Sequence, residues 1–125
     1  MDSSDIKILV VDDEKSVWDS FELIFDSKYE LFFALSWEKT RAVLEEHDID
    51  IVFLDINLPD KDGFYSLERI KALDSSVDVI MITADNNAKS AVRAIKTGAV
   101  DYITKPFDVD EIELITERVV KERMN

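Results

Sequence analysis

Five short apolar runs limit what this chain can fold into: Ile6–Val11, Tyr29–Leu35, Ile49–Leu54, Val77–Ile82 and Tyr102–Ile103. The first, third and fourth are continuous and rich in β-branched residues, the pattern of strands covered on both faces. Segments with helical spacing lie between and after the runs. Val17, Phe21, Ile24 and Phe25 recur at one such spacing, and Ala88, Ala91, Val92 and Ile95 at another, with Gly98 placed to end that helix. Phe64, Leu67 and Ile70 mark a third helix, and Ile112, Ile115 and Val119 mark the last. Ser36 before "WEKTRAVLEE" reads as an N-cap, with Val43 and Leu44 turned inward. A strand followed by a helix, five times over, predicts an α/β domain with a parallel sheet covered on both faces.

Length and charge narrow the functions. At 125 residues the chain reads as one domain, residues 1–125, and two glycines with two prolines leave no flexible linker. Twenty-eight acidic against 15 basic residues give a formal net charge of -13. That balance opposes direct contact with nucleic acid, which needs clustered cations, and opposes an anionic membrane surface. The absence of cysteine removes disulfides, thiolate nucleophiles and zinc–thiolate sites. "MDSSDIK" lacks the basic and apolar regions of a signal peptide, so a cytoplasmic location is expected.

Ligands of open parallel sheets bind beyond the carboxyl ends of the strands. The polar residues there are Asp12 and Asp13 after the first run, Asp55 after the third, Thr83 after the fourth, and Thr104, Lys105 and Pro106 after the fifth. Read alone, Asp12 and Asp13 could cap a helix, and "DINLPDKDG" around Asp55 could be a solvated turn. Gathered on one edge, three carboxylates need a counter-charge, and an oxygen-rich cluster suits a hard divalent cation such as Mg²⁺, with Mn²⁺ as the alternative. An aspartate beside such a charge can act as a phosphoryl acceptor, with Lys105 and Thr83 on the remaining phosphoryl oxygens. No glycine-rich phosphate loop is present.

"ILVVDDE", "DIVFLDINLPDKDGF", "VIMITA" and "AIKTGAVDYITKPF", in this order and spacing, closely resemble the receiver domains of two-component response regulators over nearly the whole chain. The resemblance leans towards receivers of nitrogen-regulation-type activators, with chemotaxis-type stand-alone regulators as the other form. It implies a flavodoxin-like, doubly wound five-stranded sheet of order 2-1-3-4-5 with five helices. It further implies that Asp55 is the phosphoacceptor, that Asp12, Asp13, Asp55 and the backbone carbonyl of Asn57 hold the metal, and that Lys105 and Thr83 complete the catalytic set. Thr83 and Tyr102 would form the switch, and Lys105–Pro106 a cis peptide. Asn57 and Asp85 occupy the positions that tune dephosphorylation, which predicts an aspartyl phosphate lasting minutes or less.

The implied function is a phosphorylation-activated signalling switch in transcription regulation or a phosphorelay, catalysing only its own phosphorylation and dephosphorylation. A sensor histidine kinase or a small phosphodonor would load Asp55. The face made by helix 4, strand 5 and helix 5 would then control an output domain or partner, or a phosphorylation-dependent homodimer. The chain would be a stand-alone regulator or part of a longer one. Two other readings compete: an aspartate-nucleophile phosphatase of the haloacid-dehalogenase type, and a binding module, either flavodoxin-like or an unphosphorylated pseudo-receiver. The phosphatase normally carries an acid two residues after its nucleophile, where this chain has Asn57, and "DDEKS" has the wrong charge for a flavin phosphate. His47 reads as a surface residue, and Trp18 and Trp37 as packing or half-exposed, with Trp18 close enough to the acidic pair to report on it by fluorescence.

Overall fold

The computed structural model describes residues 5–125, so the first four residues of "MDSSDIK" lie outside it. Strands and helices alternate throughout: β1 Lys7–Val11, α1 Lys15–Phe25, β2 Glu30–Ala34, α2 Trp37–Glu46, β3 Ile51–Asp55, α3 Gly63–Leu73, β4 Asp78–Thr83, α4 Ala88–Thr97, β5 Asp101–Thr104 and α5 Val109–Met124. The sheet order is β2-β1-β3-β4-β5, with every pair parallel, as the alternation predicts.

Strand side chains divide between two cores. Leu9, Val11, Val52, Leu54, Val79 and Met81 face one side, packed with Trp37, Phe64, Leu67 and Ile70 from α2 and α3. Ile8, Val10, Phe53, Ile80 and Ile82 face the other, packed with α1 through Phe21 and Phe25 and with α5 through Ile112 and Val119. Phe21 and Phe53 pack in a tilted pair with ring centroids 4.8 Å apart, and each fully buried side chain of this size contributes roughly 3 kcal/mol by desolvation.

Local signals start and stop the helices largely as read. Ser36 Oγ accepts the Lys39 N–H of α2, Asp62 caps α3 by accepting from Tyr65, and Asn87 caps α4 by accepting from Lys89. Gly98 ends α4 at φ 121°, a conformation that favours glycine. On α2 Val43 and Leu44 turn inward as expected, half-buried against the core beside the buried Trp37 and Thr40. In α4 only Ala94 is fully buried, and Val92 and Ile95 stand 51% and 49% exposed. Helical spacing defines an apolar stripe but not whether anything covers it. His47, expected at the surface, is half-buried with its ring 4.4 Å from that of Phe32.

At the amino ends of the strands Arg123 closes the structure. Its guanidinium donates to Asp78 Oδ2 at 2.9 Å, Asp50 Oδ1 at 3.0 Å and the Ser76 carbonyl at 2.7 Å. The end of α5 is thereby fastened to the starts of β3 and β4.

Candidate functional site

Register carries the polar strand ends to one level. Val11 pairs with Leu54, Asp55 with Ile82, and Thr83 with Thr104. Asp12 therefore emerges beside Asp55, with Thr83 and Lys105 one step further along the same edge. The pairing continues past the strands: Asp12 N–H donates to the Ala34 carbonyl and Lys105 N–H to the Thr83 carbonyl. The Lys105–Pro106 peptide is cis. Gly63 brings the loop after β3 close, since a Cβ there would meet Ile56 Cα and lie 2.7 Å from the Asp55 carbonyl.

One ammonium is shared by three carboxylates. Lys105 Nζ donates to Asp12 Oδ2 at 2.7 Å, Asp55 Oδ2 at 3.2 Å and Glu14 Oε1 at 3.3 Å. Asp12 is fully buried and Asp55 is 4% exposed. The remaining oxygens are also engaged: Asp55 Oδ1 accepts from Asn57 N–H at 3.1 Å, and Asp12 Oδ1 accepts from Glu14 N–H at 2.9 Å. Burial alone would lower the lysine pKa, but the hydrogen bond and charge of Asp12, with the charge of Asp55, hold it above the ordinary lysine value. Burial is also the largest influence on Asp12 and raises its carboxyl, against the pull of Lys105 and the Glu14 amide.

Asp12, Asp13, Glu14 and Asp55 each offer an oxygen within 4.8 Å of the others. Four carboxylates against one ammonium leave an excess of negative charge, and the donors are all hard oxygens. That set fits a divalent cation of the Mg²⁺ type. Asp13 is exposed and bonds to no side chain among the described residues. Glu14 is the site residue that sequence reasoning missed. It stands in "DDE", but only the turn into α1 decides that its carboxylate faces Lys105. The capping reading of Asp12 and Asp13 does not hold, because α1 starts after Glu14 without a side-chain cap.

The other expected residues sit around this centre. Thr83 is fully buried, and its Oγ1 accepts the Asp85 N–H at 3.1 Å. Asp85 turns its carboxylate to the start of α4, accepting from Ser90 Oγ at 2.7 Å and Asn87 N–H at 2.8 Å. The Ser90 hydroxyl, then the Asn87 amide, hold that carboxyl below its usual value. Tyr102 is half-buried and its hydroxyl donates to the Asp85 carbonyl at 2.7 Å, with burial and the Asp85 charge pushing the phenol upward. Asn57 is exposed in the loop, paired across it with Asp62. Trp37 is buried, whereas Trp18 is half-buried and its indole N–H donates to the Asp12 carbonyl at 2.8 Å. A fluorescent ring is thus tied directly to the acidic cluster.

Comparison with known proteins agrees with this fold. A family model described as response regulator receiver domain matches residues 8–117. The transcriptional regulatory protein ZraR of Escherichia coli K12 is 33% identical over 121 residues, covering 96% of this chain and 27% of that protein. The chain therefore spans about a quarter of that relative, and half of the aerobic respiration control protein ArcA, to which it is 31% identical. Among solved structures, a CheY-like response regulator receiver domain protein from Methanospirillum hungatei superposes with a TM-score of 0.86 at 30% identity, covering 97% of this chain and 98% of that one. The receiver domain of NtrX from Brucella abortus gives 0.85 at 37% identity, covering 91% and 98%. No described helix is long and apolar enough to cross a membrane.

Proposed function

The chain belongs to the response regulator receiver family, and from that premise we propose that it is a signalling switch driven by transfer of a phosphoryl group to Asp55. The observation that carries this reading is Asp55 itself: an almost fully buried carboxylate at the end of the central strand, bonded to Lys105 within a cluster whose negative charge exceeds its positive. The donor is the phosphohistidine of a sensor histidine kinase, or a small phosphodonor. An Asp55 carboxylate oxygen bonds to phosphorus as the bond from phosphorus to the donor nitrogen or oxygen breaks. Asp12, Asp13, Asp55 and the Asn57 carbonyl would hold Mg²⁺ or Mn²⁺. Such an ion supplies positive charge to the phosphoryl oxygens when bound.

The chain's own residues do the rest by position and charge. Lys105, already within hydrogen-bond reach of Asp55, turns to a phosphoryl oxygen. The Thr83 hydroxyl donates to another, which draws on the segment whose Asp85 amide it now accepts. Asp85 also anchors the Tyr102 hydroxyl through its carbonyl, so a shift of that segment frees the ring to turn inward. Phosphorylation then biases a two-state equilibrium of the α4–β5–α5 face. Val92 and Ile95, left uncovered on α4, become the contact for an output domain, a partner or a second copy. The setting is cytoplasmic, and the chain acts only on its own phosphoryl group. Asn57 where the haloacid-dehalogenase type carries an acid speaks against turnover of phosphate esters.

Incubation with acetyl phosphate and Mg²⁺, followed by intact-mass measurement, tests the reading. The expected result is one acid-stable, hydroxylamine-labile phosphoryl group per chain and a Mg²⁺-dependent change in Trp18 fluorescence. An unmodified mass with a full excess of donor and ion would refute it. Asn57 and Asp85 are both small and polar, and on that basis the adduct decays within minutes once the donor is removed. Persistence over many hours with Mg²⁺ present would contradict that lifetime.

A further inference from the structure

Resting on the reading just given, we propose that Asp60 is a positioning residue for the cation site, which it serves by clamping the loop that carries Asn57 to the first turn of α2. One Asp60 oxygen accepts the Trp37 N–H at 2.9 Å and the other the Glu38 N–H at 3.2 Å, across 23 and 22 residues of sequence. Both oxygens are used, so the loop is held in orientation as well as in place. Burial is the largest single influence and raises this carboxyl, but the Trp37 and Glu38 amides, together with those of Asp60 and Lys61, hold it below its usual value.

The clamp is not what starts the helix. Ser36 already supplies a local cap to Lys39, three residues on. What Asp60 adds is a fixed distance between α2 and the loop after β3. The helix end it grips is firm, with Trp37 4% exposed and Thr40 fully buried and bonded to the Ser36 carbonyl. On the loop side only Leu58 and Pro59 separate Asp60 from Asn57. Leu58 is packed against the core and Pro59 has a fixed φ, so there is little slack to absorb a movement. The near end is tied by the Asn57 N–H to Asp55 Oδ1, and the far end by the pairing of Asn57 with Asp62 and by the Gly63 N–H to the Ile56 carbonyl. The Asn57 carbonyl is thus preset by anchors on three sides, and Asp60 is the anchor that reaches an element not adjoining the loop, α2. Asp60 itself is exposed and makes no bond to the acidic cluster, so its influence passes through the loop backbone.

Ser36 provides the matched control, because its side chain caps the same helix by a bond to Lys39 and not to the loop. Mg²⁺ is titrated by calorimetry into the parent protein, Asp60→Ala, Asp60→Asn and Ser36→Ala, with thermal melts of each. Asp60→Ala is expected to weaken Mg²⁺ binding about five- to tenfold, somewhat below the loss seen when a direct outer-shell partner is removed. Asp60→Asn, whose amide oxygen can still accept one N–H, falls between it and the parent. Ser36→Ala loses a few degrees of melting temperature, as cap removal does, yet keeps the parent affinity within about twofold. Equal Mg²⁺ affinity in parent and Asp60→Ala overturns the inference, as does an equal loss in Ser36→Ala, which would make Asp60 a cap and nothing more. Should Asp60→Ala fail to fold, Asp60→Asn carries the same comparison. A parent that binds no Mg²⁺ overturns the functional reading itself, and this inference with it.

Discussion

Asp55→Asn takes up no phosphoryl group from acetyl phosphate, yet folds at least as well as the parent. The substitution keeps shape: an amide oxygen still accepts the Asn57 N–H that Asp55 Oδ1 now accepts. It removes one negative charge from a cluster of four carboxylates served by one ammonium, so repulsion falls. What is lost is the anionic oxygen that, on the proposed function, would bond to phosphorus. Mg²⁺ affinity should fall by at least about tenfold, or ~1.4 kcal/mol, because one charged ligand is gone. Intact-mass labelling, calorimetry and a thermal melt check the three parts together. A stoichiometric acyl phosphate on the variant would place the acceptor elsewhere.

Lys105→Met acts in the opposite way, on stability first. Without the ammonium, Asp12 and Asp55 face each other with oxygens inside 4.8 Å. At an effective dielectric near 20 that repulsion is on the order of 3 kcal/mol. Uptake of a proton by one of the pair relieves part of it, so a net loss of ~1–2 kcal/mol at neutral pH is expected. The direction with pH follows from that proton. Carboxyls whose pKa is raised in the folded state lose stability as pH rises through the raised value. The deficit against the parent is therefore largest in mild alkali and shrinks towards acid. The parent's trend is smaller, since its lysine stays protonated and pulls the raised Asp12 carboxyl back down. Mg²⁺ should restore much of the loss, while phosphorylation slows by roughly a hundredfold as one stabilising donor is removed. Melting curves across pH, with and without Mg²⁺, decide the matter, and identical curves for parent and variant would sink it.

The frame of the domain and most of its site were legible from sequence, for a physical reason. Buried parallel strands need continuous apolar runs, so the first polar residue after each run marks the sheet edge where ligands bind. Asp12, Asp55, Thr83 and Lys105 were found in this way, and Ser36 because a cap bonds three residues ahead. Glu14 escaped because its role depends on a side-chain direction set by the turn into α1. Asp60 escaped because its partners lie more than 20 residues back, where nothing in "LPDKDG" points. Val92 and Ile95 were legible as an apolar stripe but not as an uncovered one, since coverage is decided by the elements packed nearby and not by the helix's own spacing.

The Arg123 fastening has a practical consequence for measurement. It holds the end of α5 against Asp50 and Asp78, which precede or open β3 and β4. Asp55 lies at the other end of β3, about 16 Å away at the usual rise of a strand. A tether or dye fixed to Asn125 therefore sits at the pole opposite the acidic cluster. Surface capture through that residue would present the edge that carries Asp55 and the acidic cluster outward, whereas capture near Glu14 would mask it. A dye at Asn125 would report rotation of the whole domain and leave Trp18 to report the site.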